Sequence, residues 1–423
     1  MKRLFYGWYM VGAGGAMQFI QSTLLLQSFG AYFPVLREDR GWSKTELSGA
    51  AALHQLEAAI LGPVFGWFLD RFGPQWMIRI GVLLFGCGFM LLSTVDSLLA
   101  FYGAFVVTAL GSSMCGFFPL NVALIHWFDR YRARALSSMQ IGMGLGGLAL
   151  PLVAWSLATY GWRHTAFVSG ILVIVLCLPL SLVIRRRPED IGEVMDGHAA
   201  ARRHAAAQTE PAAPDPTRDF TAREALRTPA FWLLSFGHGF ALLVVTGVNT
   251  HAITHMIEAL GYSIGTASFA IMLQTVAQLS GVGIGAWIGD RFNKRKLSAL
   301  CMLGHMTGLL CLTYADIHPA ATTAMVVAYA IIHGTAWGLR GPFMQAIRAD
   351  YFGRSAIGMI LGLSFMIITV GQIGGPMIAG ILADMTGNYR AGFTTLALLA
   401  GMGSLFFLAA RRPERPAAES AGT

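Results

Sequence analysis

Charge is scarce in this sequence. Of 423 residues only 12% are Asp, Glu, Lys or Arg, while 55% are hydrophobic and the mean hydropathy is +0.57. An average soluble domain carries about 25% charged residues. That poverty excludes a water-soluble globule as the whole molecule. Cysteine is scarce too: Cys87, Cys115, Cys177, Cys301 and Cys311 sit singly inside apolar runs, with no spacing of a disulfide frame or a metal site. Also missing are a phosphate-binding glycine loop, a catalytic triad and a cluster of metal ligands, so the chain is read as neither an enzyme nor a holder of cofactor or metal. The polar and apolar alternation over about ten residues that marks a membrane barrel is absent as well.

What is present is a series of long uncharged stretches, such as Ile80 to Val95, Ser97 to His126 and Val326 to Leu339. Roughly 20 apolar residues cross a hydrocarbon layer about 30 Å thick. Twelve such spans are predicted, at about 7–34, 47–69, 76–93, 97–127, 135–159, 164–184, 229–259, 264–288, 297–315, 319–346, 355–384 and 390–410. All read as helices, because in lipid every backbone amide needs a partner within its own segment once a barrel is excluded. The basic start Met1-Lys2-Arg3 before Leu4 to Met17 has the look of a secretory leader, but the apolar run continues to Phe33 without a cleavage pattern. It counts as the first span.

The basic residues set the topology. With these spans, 24 of the 30 Lys and Arg lie on the side of the N-terminus, five lie opposite, and one, Arg340, lies inside a span. By the positive-inside rule both termini are cytoplasmic and the membrane is the cytoplasmic (inner) one. The net charge of +8 therefore reports orientation and not a nucleic-acid surface. Between the sixth and seventh spans, residues 185–228 are polar and rich in alanine and proline, a composition that buries too little apolar surface to order itself. This stretch is predicted to be a disordered cytoplasmic linker between an N-terminal six-helix half, 1–184, and a C-terminal one, 229–410, with 411–423 as a cytoplasmic tail.

The halves look like copies. Gly41-Trp42-Ser43 and Gly261-Tyr262-Ser263 lie 220 residues apart, as do Asp70-Arg71-Phe72 and Asp290-Arg291-Phe292. Trp127-Phe128-Asp129-Arg130 parallels Tyr351-Phe352-Gly353-Arg354 at an offset of 224. Six plus six spans in one orientation form a parallel repeat about an axis along the membrane normal, an arrangement associated with a central substrate site. Gly66-Trp-Phe-Leu-Asp70-Arg71-Phe-Gly73 resembles the loop signature of the major facilitator superfamily, and its degenerate copy at Ala286 to Lys296 sits where that family repeats it. Ser28-Phe-Gly-Ala-Tyr-Phe-Pro34 leading to Gly41-Trp42-Ser43, and Arg223 to Trp232 entering the seventh span, resemble the bacterial monocarboxylate and oxalate/formate branch. That branch often holds its anion with an arginine in the eighth span, where this chain offers Gln274 and Gln278.

Several residues invite a mechanical reading. Asp70 and Arg71, with Gly66 and Gly73 permitting close approach and a tight turn, are candidate gating residues at a cytoplasmic helix end, and Asp290 and Arg291 repeat them. The alternative is a plain topogenic loop. Ser43 to Glu46 has capping-box spacing and should start the second helix. Gly142, Gly144, Gly146 and Gly147, and Gly371, Gly374 and Gly375, allow helices to approach closely. The proline-bearing glycine motif of proton-coupled drug exporters is not matched, since Pro151 follows the glycines. Aromatic residues near span ends, among them Trp8, Tyr9, Trp42, Trp127, Trp162, Trp232 and Tyr351, read as an interfacial belt.

Ionisable groups inside a span are costly and usually face a polar path or a partner. Arg340, with glycines on either side to expose it, is the candidate carboxylate anchor; the competing reading is that it snorkels or pairs with a helix end. Glu57, with His54 three residues earlier on one face, is the candidate proton-coupling pair, unless Glu57 only bonds Gln372 across to the eleventh span. Gln18 and His238 lie 220 residues apart in the first and seventh spans, which line the cavity in the family this chain resembles. Gln18, Gln21, His238, Asn249, Asn121, Gln274 and Gln278 complete the substrate-binding set. His251, His255 and Glu258 form a stripe at the outer end of the seventh span, read as vestibule polarity and not as a zinc site.

The sequence thus predicts an all-α, twelve-helix secondary transporter moving a small organic anion, foremost a monocarboxylate, by alternating access as proton symport or exchange for a counter-anion. Its surroundings are the lipid bilayer, with neither nucleic acid nor an obligatory protein partner. A proton-driven exporter of amphipathic compounds is the second reading, and a transporter-like sensor a third of another class.

Overall fold

The computed structural model describes residues 4–42, 44–196, 218–317 and 319–417, and within helices it leaves some side chains undescribed, that of His54 among them. Ser43, the expected cap of the second helix, lies outside the described residues, as does the middle of the linker. Among the described residues there is no strand. Helix α1 runs from Gly7–Gln21 through the π-turn Ser22–Leu26 to Phe29–Arg40. It is followed by α2 (Lys44–Phe72), α3 (Pro74–Leu92) and α4 (Leu98–Trp127, broken at Gly116). Helices α5 (132–160) and α6 (162–183) part at Gly161, whose φ of +76° interrupts Leu150–Leu172. Beyond the linker come α7 (Pro229–Leu260), α8 (Ile264–Ile288), α9 (Lys294–Thr313), α10 (Thr322–Phe352), α11 (Ile357–Thr386) and α12 (Arg390–Ala409).

Among the described residues nine segments are long and apolar enough to cross a membrane. One of them, Arg132–Val183, supplies both α5 and α6. The other two of the twelve fall short for visible reasons: the π-turn cuts α1, and Lys44, Glu46, His54, Gln55 and Glu57 dilute α2. Turn chemistry explains the repeated Gly-aromatic-Ser marker. Gly41 (φ +71°) stops α1 and Gly261 (φ +66°) stops α7 in the left-handed region that only glycine enters freely. Ser263 then starts α8 by accepting the Thr266 amide at 3.1 Å. Ser97 and Thr228 cap α4 and α7 in the same way, at 3.2 and 3.3 Å.

The chain divides into two units, one of Met1–Pro214 with Ile357–Gly362, the other of Asp215–Ala356 with Leu363–Thr423. In each, glycines bring helix backbones together. In the first unit a Cβ on Gly142 of α5 would overlap the Gly15 carbonyl of α1; in the second, one on Gly371 of α11 would overlap the Gly239 carbonyl of α7. Further along α10, Gly334 and Gly338 leave no room for a Cβ against the Gln274 and Gln278 carbonyls of α8.

Two expectations need correction. The aromatic belt is partial: Tyr9 and Trp232 are exposed, but Trp127 is fully buried beside Phe5 and Tyr6, and Trp162 is buried with its indole donating to Asp39 at 2.9 Å. The linker is ordered at both ends. Pro188–Ile191 makes a 3-10 turn, and Ala222–Leu226 a helical turn closed by a capping box between Thr221 and Glu224. Buried Met195 and Phe220 supply the apolar anchorage that average composition concealed.

Candidate substrate and gating site

The second unit holds the concentrated charge. Arg340 of α10 is 1% exposed, and its Nε and Nη1 have no partner. Such burial rules out snorkelling. The adjacent Gly338 does not expose the guanidinium, as the sequence suggested; it packs α10 against Gln278 of α8. Within electrostatic reach of Arg340 lie His238 of α7, Cys301 and His305 of α9, and His333 of α10. No carboxylate pairs with it among the described residues. An unpaired buried cation is a severe penalty unless an anion reaches it.

Sequence reasoning missed a second buried arginine. Arg348, counted with the topology-setting residues, is 1% exposed and donates to Met344 O at 2.7 Å, Leu234 O at 3.3 Å and Ser364 Oγ at 2.7 Å. Ser364 is also bonded to Ser235 at 2.8 Å, so α7, α10 and α11 meet on one cation whose two Nη groups are bonded and whose Nε is not. The only signal was its place eight residues after Arg340 on the same helix.

A polar chain leads inward from α7. Exposed Asn249 accepts from Gln274 Nε2 at 3.2 Å, and Gln274 Oε1 accepts the Tyr329 hydroxyl. The Tyr329 ring lies 5.6 Å from that of His333, whose Nδ1 is 3.2 Å from His305 Nδ1. Gln278 is half-buried beside Gly338 and joins no such chain. His238 is 5% exposed with Nδ1 unpartnered. The outer histidines of α7 diverge: His251 faces Pro376 O and His255 faces Leu312 O, each at 3.1 Å.

The candidates in the first unit are mainly amides. Gln18 is 1% exposed and neither atom of its amide has a partner. Gln21 is tied to Ser112, donating to its carbonyl at 2.9 Å, and Asn121 donates to Phe117 O at 2.7 Å while its Oδ1 stays unpartnered. Glu57 is half-buried and accepts from Ser113 Oγ of α4 at 2.9 Å, so its partner is not the Gln372 considered from the sequence. Its pairing with His54 lies outside the described residues. A cavity of about 280 Å³ in this unit, lined by Phe19, Leu24, Leu152, Val168, Leu172 and Leu176 among others, contains none of these candidates.

Asp70 caps the first turn of α11, accepting the amides of Gly358 and Met359 at 2.8 Å each. An anionic carboxylate at a helix N-terminus meets both the free amides and the positive end of the dipole. Gly66 permits this, since a Cβ there would overlap the Gly358 carbonyl, and Gly73 turns the chain at φ +84°. Arg71 stacks 5.7 Å over Trp67, and Arg291 stacks 5.3 Å over Trp287, so the repeat extends to a cation on the preceding tryptophan. Asp290 lies in the turn after α8.

Each unit has a second carboxylate on its loop, and both come from the linker ends. Asp196 accepts the amides of Asp129, Arg130 (3.1 Å) and Tyr131 (2.8 Å), and its own amide reaches Trp127 O at 3.3 Å. Asp219 accepts the amides of Arg354 (2.8 Å) and Ser355 (3.2 Å) and the Ser355 hydroxyl (3.0 Å), and Phe220 N reaches Phe352 O at 3.0 Å. Burial raises the Asp196 carboxyl against its amide bonds. At Asp219 burial also pushes upward, but the Arg354 and Ser355 bonds and nearby Arg415 outweigh it and hold the carboxyl below its usual value.

Among the described residues, nine long apolar helical segments, many exposed hydrophobic side chains and buried polar groups mark a multi-pass membrane protein. The Major Facilitator Superfamily model matches residues 12–253 and 234–423, and the chain belongs to that family of secondary transporters. It is similar to monocarboxylate transporter 13 of Bos taurus, at 26% identity over 95% of this chain and 89% of that one. It is also similar to the oxalate:formate antiporter of Oxalobacter formigenes, at 24% identity over 77% and 73%. In fold it resembles the E. coli fucose:proton symporter, with a TM-score of 0.69, 14% identity and coverage of 95% and 98%.

Proposed function

We propose that this protein carries a small organic anion, foremost a monocarboxylate, across the cytoplasmic membrane by alternating access, with both termini cytoplasmic. The observation that carries the reading is Arg340: a buried guanidinium whose Nε and Nη1 are unpartnered and which, among the described residues, has no carboxylate paired with it. A carboxylate from solution would satisfy it by two parallel hydrogen bonds. His238, Gln274, Gln278 and Asn249 shape the site on the same unit, and Gln18, Gln21 and Asn121 are the candidate substrate-binding amides within the other unit. The relatives named for monocarboxylate and for oxalate and formate support an anionic cargo. Asp70 with Gly66, Arg71 and Gly73 gates the path by holding or releasing the first turn of α11, and Asp290 and Arg291 are their counterparts. Coupling is to a proton or to a counter-anion, and Glu57 with His54 is the pair that the sequence offers for the proton.

The test is counterflow of labelled lactate, pyruvate, oxalate and formate in proteoliposomes. Saturable exchange of at least one of them, lost in Arg340→Ala, is the expected outcome; full activity in Arg340→Ala and Arg340→Lys would falsify the anchor. The apolar cavity of the first unit favours a second reading, export of amphipathic compounds. Resistance to such compounds on expression, with no carboxylate exchange, would establish it instead.

A further inference from the structure

His305 and His333 are both fully buried, near the middle of α9 and of α10, and neither Nε2 has a partner. Their Nδ1 atoms approach to 3.2 Å with ring centroids 4.6 Å apart. That approach fixes the protonation pattern. One Nδ1 carries hydrogen and donates, while the other presents its lone pair. Two neutral rings in this arrangement leave one Nε2 bare and one bearing hydrogen. The pair therefore takes up one further proton, at the bare Nε2, and keeps its bond; a second would put hydrogen on both Nδ1 atoms and break it.

Arg340 lies on α10 two turns from His333, and its charge is felt at both rings. The other ionisable groups of the surrounding helices are few. Tyr329 shares α10, and His238 and Cys301 approach Arg340 from α7 and α9. The membrane segments of α8 and α12 carry no ionisable side chain between Ile264 and Ile288 or between Ala391 and Ala409. Among the described residues no carboxylate is paired with either ring or with Arg340. A carboxylate held on Arg340 would offset an imidazolium there: it cancels the guanidinium charge as the pair feels it, so anion and proton favour each other's binding. By linkage the effect is reciprocal. A hydrogen-bonded chain runs from exposed Asn249 on α7 through Gln274 to Tyr329, whose ring lies 5.6 Å from that of His333.

We infer that the His305–His333 pair is the proton-binding site through which uptake of the anion held by Arg340 is coupled to a pH gradient. The inference rests on the anion-porter reading above and assigns the proton to the unit that holds the anion, in place of Glu57.

Two measurements on the full-length protein in proteoliposomes separate the inference from the reading beneath it. Labelled lactate, pyruvate, oxalate and formate are followed in counterflow at equal pH, and in accumulation driven by an inward proton gradient. With His305→Gln, His333→Gln and the corresponding Asn variants, accumulation should fall at least tenfold while counterflow stays within about twofold of wild type. Arg340→Ala should lose both. Accumulation that survives in the histidine variants overturns the proton site and leaves the anion anchor standing. Wild-type accumulation that ignores the proton gradient overturns it equally, as does loss of counterflow in both the Gln and the Asn variants, which would mark the pair as structural. Absence of counterflow for all four anions in wild type sinks the anion-porter reading and the inference with it.

Discussion

In the first unit the deeply placed polar groups include amides and one half-buried carboxylate, Gln18, Asn121 and Glu57, and its buried arginine, Arg132, is paired with Asp129 at 3.0 Å. In the second, beside the amides Gln274 and Gln345, they include arginines and imidazoles, Arg340, Arg348, His238, His305 and His333. Yet the frames correspond. Gly142 meets Gly15 as Gly371 meets Gly239, Arg71 stacks on Trp67 as Arg291 does on Trp287, and Asp196 and Asp219 sit on equivalent loops. Duplication preserved what holds helices together, while the chemistry of the interior diverged. Backbone approach tolerates no side chain at these glycines, whereas an interior polar position is constrained only by what it must bind.

The contrast is sharpest at the anion site. Arg340→Ala should reduce counterflow by about a hundredfold, as expected for a lost charge-assisted bidentate contact of about 3 kcal/mol. Gln18→Ala in the first unit should reduce it less than about tenfold. Equal losses in the two, measured as kcat/KM, would break the assignment of the charge chemistry to one unit. Arg340→Lys should keep part of the rate, because a lysine offers charge without the planar fork.

Next in size is Arg348, whose role is read as holding α7, α10 and α11. Arg348→Met should destabilise the detergent-solubilised protein by about 3 kcal/mol, since Ser364 and two carbonyls lose a charged donor. The apparent affinity for the anion should stay within about threefold. A large affinity loss without a lowered melting temperature would place Arg348 in the binding site beside Arg340.

The smallest effect concerns the linker carboxylates, and it is a difference in pH response. Asp196 is raised in the folded protein, so the folded state binds its proton more readily and this group's contribution to stability declines as pH rises through the window above about 4. Asp219 is lowered, so it stabilises the fold above its unfolded value of about 4 and loses that contribution on acidification below it. Acidification from neutral pH should therefore leave the Asp196 anchor in place and weaken that of Asp219 below about pH 4. Hydrogen exchange, corrected for intrinsic rate, should show the Arg354 and Ser355 amides losing protection on acidification while Arg130 and Tyr131 hold. Asp219→Asn should bring that loss to neutral pH.

Much of this was legible in the residues. Hydropathy located the spans, and the offset of 220 exposed the repeat, because turn glycines and capping residues are set locally. Arg340 was visible as a charge within an apolar run. Arg348 was not, since it stands two residues past the predicted end of its span and hydropathy does not report which way a side chain turns. His305 escaped because a lone histidine signals nothing until a second helix brings His333 against it. Glu57 was found but its bond to Ser113 of α4 was not foreseen, since which helix faces which is a tertiary fact. Asp196 and Asp219 sat in a stretch whose average composition hid two buried neighbours, Met195 and Phe220.

Those two linker carboxylates also change what the linker is. Helix ends at 184 and 229 bound 44 residues, and docking of Asp196 and Asp219 commits the first twelve of them to a loop of the first unit and the last ten to a loop of the second. At its two ends the linker is thus a part of each unit's own capping, and not a spacer alone.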